Sequence, residues 1–199
     1  QSTRGEYDGQ PLSREELELL ETAGSGTGVD VILLSEKAAM ETVLEFVIAG
    51  NTAQMRDRAF IQELETWIRF SGAEAVRTGD GLFAGSSGNP SVPRWLGSRL
   101  FGLFFTEEGE NQKYAKHVRS SAGIAVFVSQ ADDPAHRVEV GRCYERFALQ
   151  SAALGVRNAF LNQPVEVAGL RPQLAAWLGV GPRRPDLVVR FGRGPKLPG

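Results

Sequence analysis

Residues 122–128 read Ala-Gly-Ile-Ala-Val-Phe-Val, bracketed by Ser121 and Ser129. A run this short and this rich in β-branched and aromatic residues is a strand. With no polar side chain on either alternating face, such a strand is stable only when it is covered on both sides. The rest of the chain therefore has to supply partner strands and two layers of cover.

The remaining pattern offers both. Residues 29–34 form another short aliphatic run, and residues 157–161 and 186–191 read as two further strands. Ser13 stands as an N-cap with Glu16 three residues on, a capping box that opens a helix reaching about Thr22, with Leu12, Leu17, Leu19 and Leu20 on its apolar side. Gly24-Ser25-Gly26-Thr27-Gly28 stops it and reads as a flexible turn. Lying before a strand, that glycine run is in the wrong context for a dinucleotide loop. Residues 35–70 carry Leu44, Val47 and Ile48, then Ile61, Leu64, Trp67 and Ile68 at helical spacing, and read as two helices broken near Gly50-Asn51. Residues 71–93 hold many Gly, Ser and Pro without a period and read as a long irregular connection, of the kind that covers a site. An aromatic stretch, 95–105, follows as a short helix. Residues 138–154 form the clearest amphipathic helix, with Gly155 in the place of a C-cap glycine, and residues 170–178 a short one closed by Gly179. Helices and strands mixed along a chain without repeats predict a single three-layer or α+β domain over residues 1–199.

The 199 residues are 42% hydrophobic, enough for one sizeable core. With 22 basic against 24 acidic residues, no general attraction to nucleic acid or to an anionic membrane is expected. The single cysteine, Cys143, cannot form an internal disulfide and suits a reducing compartment, so the cytoplasm is the default location. No apolar run approaches the roughly 18 residues of a membrane helix, and residues 1–10 lack the layout of a signal peptide.

Side-chain chemistry is sparse. His117 and His136 sit in no metal-ligand spacing, so no metal site is expected. There is no nucleophile elbow and no phosphate-cradling loop. Cys143 lies inside the amphipathic helix beside Tyr144 and Phe147, where packing explains it better than catalysis. Glu15-Glu16, Glu107-Glu108 and Asp132-Asp133 read as solvated faces. A chain without an evident acid, base or nucleophile is suited to letting a cofactor carry the reaction.

Three stretches carry a resemblance. Ser2, Arg4, Tyr7, Pro11-Leu12 and Glu16-Leu17 follow the spacing of the opening motif of the nitroreductase-like flavoproteins. The strand ending at Ser129, followed by Gly141, Cys143, Glu145, Phe147, Leu149 and Leu154-Gly155-Val156, is similar to that family's core strand and central helix, with Pro164-Val165-Glu166 at its Pro-Ile-Glu turn. Residues 186–198 resemble its last strand and Gly-x-Pro loop. Glu63-Leu64, Trp67 to Phe70, Gly79 to Leu82, Gly88-Asn89-Pro90, Arg119 to Gly123 and Phe160 to Glu166 extend the likeness to the two-lobed, Acg-like branch, of which this chain resembles the C-terminal part.

The resemblance implies a nitroreductase fold, a mainly antiparallel sheet flanked by helices. It implies an FMN-binding oxidoreductase that passes electrons from NAD(P)H to a small acceptor, a nitroaromatic or quinone-like molecule. Alternatives within it are a flavin-sequestering protein without efficient turnover, for which residues 71–105 would suit a lid-like excursion, and an incomplete remnant. Ser2 and Arg4 would hold the phosphate and ribityl chain, with Arg193 and Lys196 hinting at a phosphate clamp. Pro164, Val165, Glu166 and Val167 would face the flavin ring with backbone groups. Trp95, Phe104 and Phe105 are candidates for the acceptor pocket, although such aromatic groups are more often core. The family's first arginine would lie just before Gln1, and its Pro-Ser-x-x-Asn-x-Gln-Pro-Trp segment is replaced here by Ala23-Gly24-Ser25-Gly26. A complete flavin site would accordingly need a second nitroreductase-like lobe or a homodimer partner.

Overall fold

The computed structural model describes residues 3–87 and 91–194, without the side chains of Ser86, Ser87, Leu103 and Phe104. These residues fall into two compact units, one formed by 1–50 with 114–199 and the other by 51–113.

The first unit is built on the strand that opened the sequence. β4 (Gly123–Ser129) is buried at every position. It lies between β1 (Val29–Leu34) and β6 (Arg184–Gly192), and β5 (Arg157–Phe160) completes the order β1-β4-β6-β5 with every pairing antiparallel. Alternation divides β4 between two cores. Ile124, Val126 and Val128 pack with Met40, Val43, Leu44 and Val47 of α2 (Lys37–Arg56), together with Val165 and Leu174. Ala125 and Phe127 face Leu20 of α1 (Arg14–Gly24) and Val140, Cys143 and Phe147 of α7 (Pro134–Ala153). The two-sided cover read from residues 122–128 is thus met by helices on both faces of an α+β fold.

Several local expectations hold at the level of individual bonds. The Ser13 hydroxyl accepts from Glu16 N and the Glu16 carboxylate accepts from Ser13 N, closing the capping box. Gly155 and Gly179 both adopt positive φ, at +69° and +66°, just past the ends of α7 and of α9 (Arg171–Trp177). The glycine run after α1 is a tight turn in which Gly26 and Val29 bridge, and it is packed rather than free. A Cβ on Gly26 would come within 2.8 Å of Glu139, Arg146 and Cys143. The Arg146 guanidinium donates to the carbonyls of Ala23 and Ser25, placing positive charge at the carboxyl end of α1.

Two further expectations, besides the flexible glycine turn, are corrected. Gly50-Asn51 does not break a helix, because α2 runs continuously to Arg56 and the interruption falls at Asp57, whose side chain caps α3 (Arg58–Trp67) by accepting from Ala59 N. Gly50 is small for contact, since a Cβ there would meet Cβ, C and O of Gln163 at 2.7–2.9 Å. The described residues between 71 and 93 also hold more regular structure than their composition suggests. They contain α4 (Gly72–Thr78), capped by Ser71 and ended by Gly79 at φ +66°, and β3 (Leu82–Phe83), which pairs in parallel with β2 (Ile68–Arg69).

The second unit holds these elements and α5 (Arg94–Phe104) around a small core of Ile68, Phe70 and Ala84. Its buried charges are partnered. Arg69 reaches Asp80 at 2.8 Å and the carbonyl of Thr66, and Glu74 accepts from Phe70 N and from Arg94. α6 (Glu107–Arg119) carried no apolar period in the sequence. Its signal is electrostatic, with Glu107, Glu108 and Glu110 in the first turn and Lys116, His117 and Arg119 in the last, complementing the helix dipole.

Gly50→Ala separates the two possible roles of that glycine. Helix propensity alone would stabilise the protein by about 1 kcal/mol, whereas overpacking against Gln163 costs about 1–3 kcal/mol. Chemical denaturation is expected to show a net loss; a gain would mean that the contact with Gln163 relaxes freely.

Candidate functional site

The opening segment and the end of β6 are brought together by backbone bonds. Thr3 N donates to Asn158 O of β5 at 2.9 Å, Asp8 N to Arg193 O at 2.8 Å, and Gly9 N to Ser120 O at 2.8 Å. The start of the chain thereby lies along the edge strand and across the turn that follows β6. Arg4 in this segment is solvent-exposed. Arg193 belongs to the same corner, but its guanidinium is ion-paired with Glu16, the capping residue of α1. The Ser13 backbone bond is the first cause holding the Glu16 carboxyl below its ordinary value, with Arg193 adding to it. Ser2 and Lys196 lie outside the described residues.

Residue 190 is what fastens the segment. Arg190 is 1% exposed although it sits in a central strand of an apolar core. Its Nη2 donates to Thr3 O at 3.2 Å and to Gly5 O at 2.8 Å, the two carbonyls flanking Arg4. Its guanidinium carbon stands 4.2 Å from the centre of the Tyr7 ring. The Tyr7 hydroxyl in turn donates to Thr3 O at 2.9 Å, and the ring rests on Gly192 and Gly194, where a Cβ would come within 2.9 and 3.0 Å of it. One cation and one phenol therefore set the conformation of the motif that the resemblance singles out. The sequence held a signal for this, a lone arginine inside the run Leu187-Val188-Val189-Arg190-Phe191, but periodicity gives it no role.

The Pro164 turn leaves the same sheet a little further back. Leu161 N donates to Val188 O and Val188 N to the Asn162 side chain, so the turn starts two residues from Arg190, about 7 Å along the strand. Residues Gln163–Glu166 form one helical turn, α8, with Pro164 and Val165 buried and Glu166 exposed. The Arg171 side chain donates to Val165 O. The N–H groups of Glu166 and Val167 are engaged within the turn, donating to Asn162 O at 2.9 Å and Gln163 O at 3.1 Å. They could meet a ligand only as shared, three-centre donors.

The aromatic candidates belong to the second unit. Trp95 is 72% exposed, so it is not core, and Phe105 stacks on Phe101 with ring centres 5.1 Å apart. The Phe104 side chain is outside what is described. Cys143 is buried, and burial pushes its thiol up, which removes it from consideration as a ready nucleophile. Among the described residues no helix is long and apolar enough to cross a membrane, and no group of three or more His, Cys, Asp or Glu gathers into a metal-binding cluster.

No protein-family model matches this sequence, and no curated protein sequence matches it. Solved structures do. The nitroreductase with bound FMN from Bacteroides fragilis aligns with 100% of this chain and 88% of its own, at TM-score 0.57 and 13% identity. The FMN-dependent nitroreductase NfnB from Mycobacterium smegmatis, in complex with NADPH, aligns with 98% of this chain and 83% of its own, at TM-score 0.57 and 15% identity. Nitroreductase A from Vibrio parahaemolyticus aligns with 100% of this chain at TM-score 0.55 and 14% identity, and the chain spans 66% of it. At such identities the shared property is the fold: the antiparallel sheet with helices on both faces is that of the nitroreductase structures.

Tyr7 offers a direct test of the corner. Burial, only partly opposed by Arg190, raises its phenol from 10.0 to about 12. A group raised in the folded state contributes stability that is whole below the unfolded value and is lost as pH climbs through the folded one. Wild type is therefore expected to lose stability between about pH 10 and 12. Tyr7→Phe should be weaker by about 1 kcal/mol at neutral pH through loss of the bond to Thr3 O, yet should lack this part of the alkaline loss. Urea unfolding at pH 8 and near pH 11 checks it; parallel curves for both proteins would show that the Tyr7 phenol is not held neutral.

Proposed function

We propose that this chain is the FMN-binding part of an oxidoreductase that passes electrons from NAD(P)H to a nitroaromatic or quinone-like acceptor, of the two-lobed, Acg-like kind. One observation carries the reading: nearly the whole chain follows the fold of proteins described as FMN-dependent and as complexed with NADPH. The chain's own chemistry fits an anionic, phosphate-bearing cofactor. An exposed arginine, Arg4, is presented by a segment that a buried arginine holds in shape, and the buried Nη1 atom of Arg190 has no hydrogen-bond partner.

In this reading Ser2 and Arg4 bind the phosphate and ribityl chain, with Arg193 and Lys196 near them. Arg193 would have to exchange its Glu16 partner for the phosphate, or keep Glu16 and act at longer range. Pro164, Val165, Glu166 and Val167 bound the ring side, where buried Pro164 and Val165 give the turn its rigidity. Among the acceptor candidates, Trp95 has an exposed face. FMN, when bound, supplies the hydride and electron chemistry, and the protein has to hold and orient it. A second nitroreductase-like lobe or a homodimer partner completes the site.

A second reading, flavin binding without efficient turnover, is favoured by one specific feature. The Glu166 and Val167 donors that would stabilise a reduced ring are engaged inside the turn. Protein refolded with excess FMN and passed through gel filtration is expected to emerge yellow. Oxidation of NADPH that depends on an added nitroaromatic or quinone supports the enzyme; retained flavin without that oxidation supports sequestration; and protein that stays colourless even when joined to a second nitroreductase-like lobe rejects both.

A further inference from the structure

Buried arginines in globular proteins are paired, because taking an ion out of water is costly and only charge-assisted hydrogen bonds offset that cost. Arg69, in the second unit, follows this rule with Asp80. Arg190 does not. Its acceptors are two carbonyls and an aromatic face, and neither Arg190 nor Arg157 has a carboxylate partner among the described residues. Arg190 Nη1 stays open, as does the shielded Nε of Arg157, a part-buried residue.

These two side chains are neighbours by register. Arg190 pairs with Ala159 and Arg157 with Gly192, and residues directly opposite in an antiparallel pair share a face, so Arg157 and Arg190 stand diagonally on one side of β5 and β6. The Arg190 guanidinium lies 4.2 Å from the centre of the Tyr7 ring, and both arginines oppose the rise of the Tyr7 phenol. Tyr7 supplies no counter-charge, since it stays neutral at physiological pH. Nor is Glu6 a partner for them: its carboxylate is 2.8 Å from Lys116. Two positive charges and two open N–H groups thus share one face of β5 and β6, with no carboxylate paired to either among the described residues.

We propose that Arg157 and Arg190 form an anion site beneath the segment 3–7, taking a phosphate group. The carbonyls of Thr3 and Gly5 hold one end of the Arg190 guanidinium and turn the other toward the anion, while Arg157 closes the site from the edge strand. The site stands on these contacts and not on flavin binding. Its phosphate can be free inorganic phosphate or the terminal phosphate of a flavin nucleotide.

The test is thermal unfolding with inorganic phosphate, against chloride at equal ionic strength, supported by phosphorus NMR line broadening. Wild type is expected to show a saturable rise in Tm specific to phosphate. Arg157→Gln, on the edge strand, should weaken the apparent phosphate affinity by at least about tenfold, and Arg190→Met should abolish the rise. If Arg190→Met does not fold, Arg157→Gln decides alone. Failure of phosphate to stabilise wild type beyond chloride, or equal stabilisation of Arg157→Gln, overturns the proposal and leaves the open donors to buried water. FMN and riboflavin identify the source. Displacement of phosphate by FMN but not by riboflavin assigns the site to the cofactor's phosphate; phosphate binding undisturbed by FMN makes it separate. If phosphate binds where FMN does not, the flavin reading fails while the anion site stands.

Discussion

The architecture depends on β4 being apolar on both faces. A strand with Ile124, Val126 and Val128 on one side and Ala125 and Phe127 on the other has no solvent-tolerant surface. Antiparallel partners on both edges satisfy its backbone, and helices on both faces satisfy its side chains. The layers follow from that demand. α2 meets one face with Met40, Val43, Leu44 and Val47, a helical stripe, and α7 meets the other with Val140, Cys143 and Phe147 at spacings of three and four residues. Large aromatic side chains lock the α7 side, where Phe147 stands edge-on to Phe127 with ring centres 5.6 Å apart.

Against this background the polar exceptions are informative. In the second unit, buried Arg69 and Glu74 are each answered by an opposite charge, so their role is to brace short elements around a small core. In the first unit, Arg190 answers to carbonyls of a segment from the other end of the sequence. It makes the geometry of residues 3–7 depend on the central sheet rather than on local turn chemistry. A motif near a chain terminus would otherwise be among the least ordered parts of a domain. Here it is tied to β5 through Thr3, to β6 through Arg190 and Gly192, and to the end of α6 through Ser120.

What could be read from sequence follows the same physics. β1, β4, β5 and β6, the capping box of α1 and the glycine ends of α7 and α9 were legible because burial alternation, capping and positive φ are local signals. Gly50 misled because a glycine that makes room for Gln163, more than a hundred residues away, looks the same as one that ends a helix. α6 was silent because a polar helix has no apolar period, and its ordered charges are a weaker cue. Residues 71–93 looked irregular because α4 has only seven residues and lies between turn formers. At the candidate site Arg4 and the Pro164 turn came from likeness to known proteins. Arg190, Arg157 and the occupied donors of Glu166 and Val167 needed three-dimensional pairing to acquire meaning.

The contrast between the two kinds of expectation bears on function. Where local rules and structure agree, as in β4 and its helices, the residues serve the fold, and substitutions there act through stability. Where they disagree, a charge lies in an apolar strand with no carboxylate partner among the described residues, a cost offset in part by the Thr3 and Gly5 carbonyls and the Tyr7 ring. Arg190 uses its Nη2 to shape the opening segment and leaves its buried Nη1 facing no acceptor. The same residue thus links the buried sheet to the opening segment, beside which the proposed anion would sit. Occupancy of that corner and order in residues 3–7 are then two expressions of one equilibrium, because an anion that binds only the ordered segment must also stabilise it.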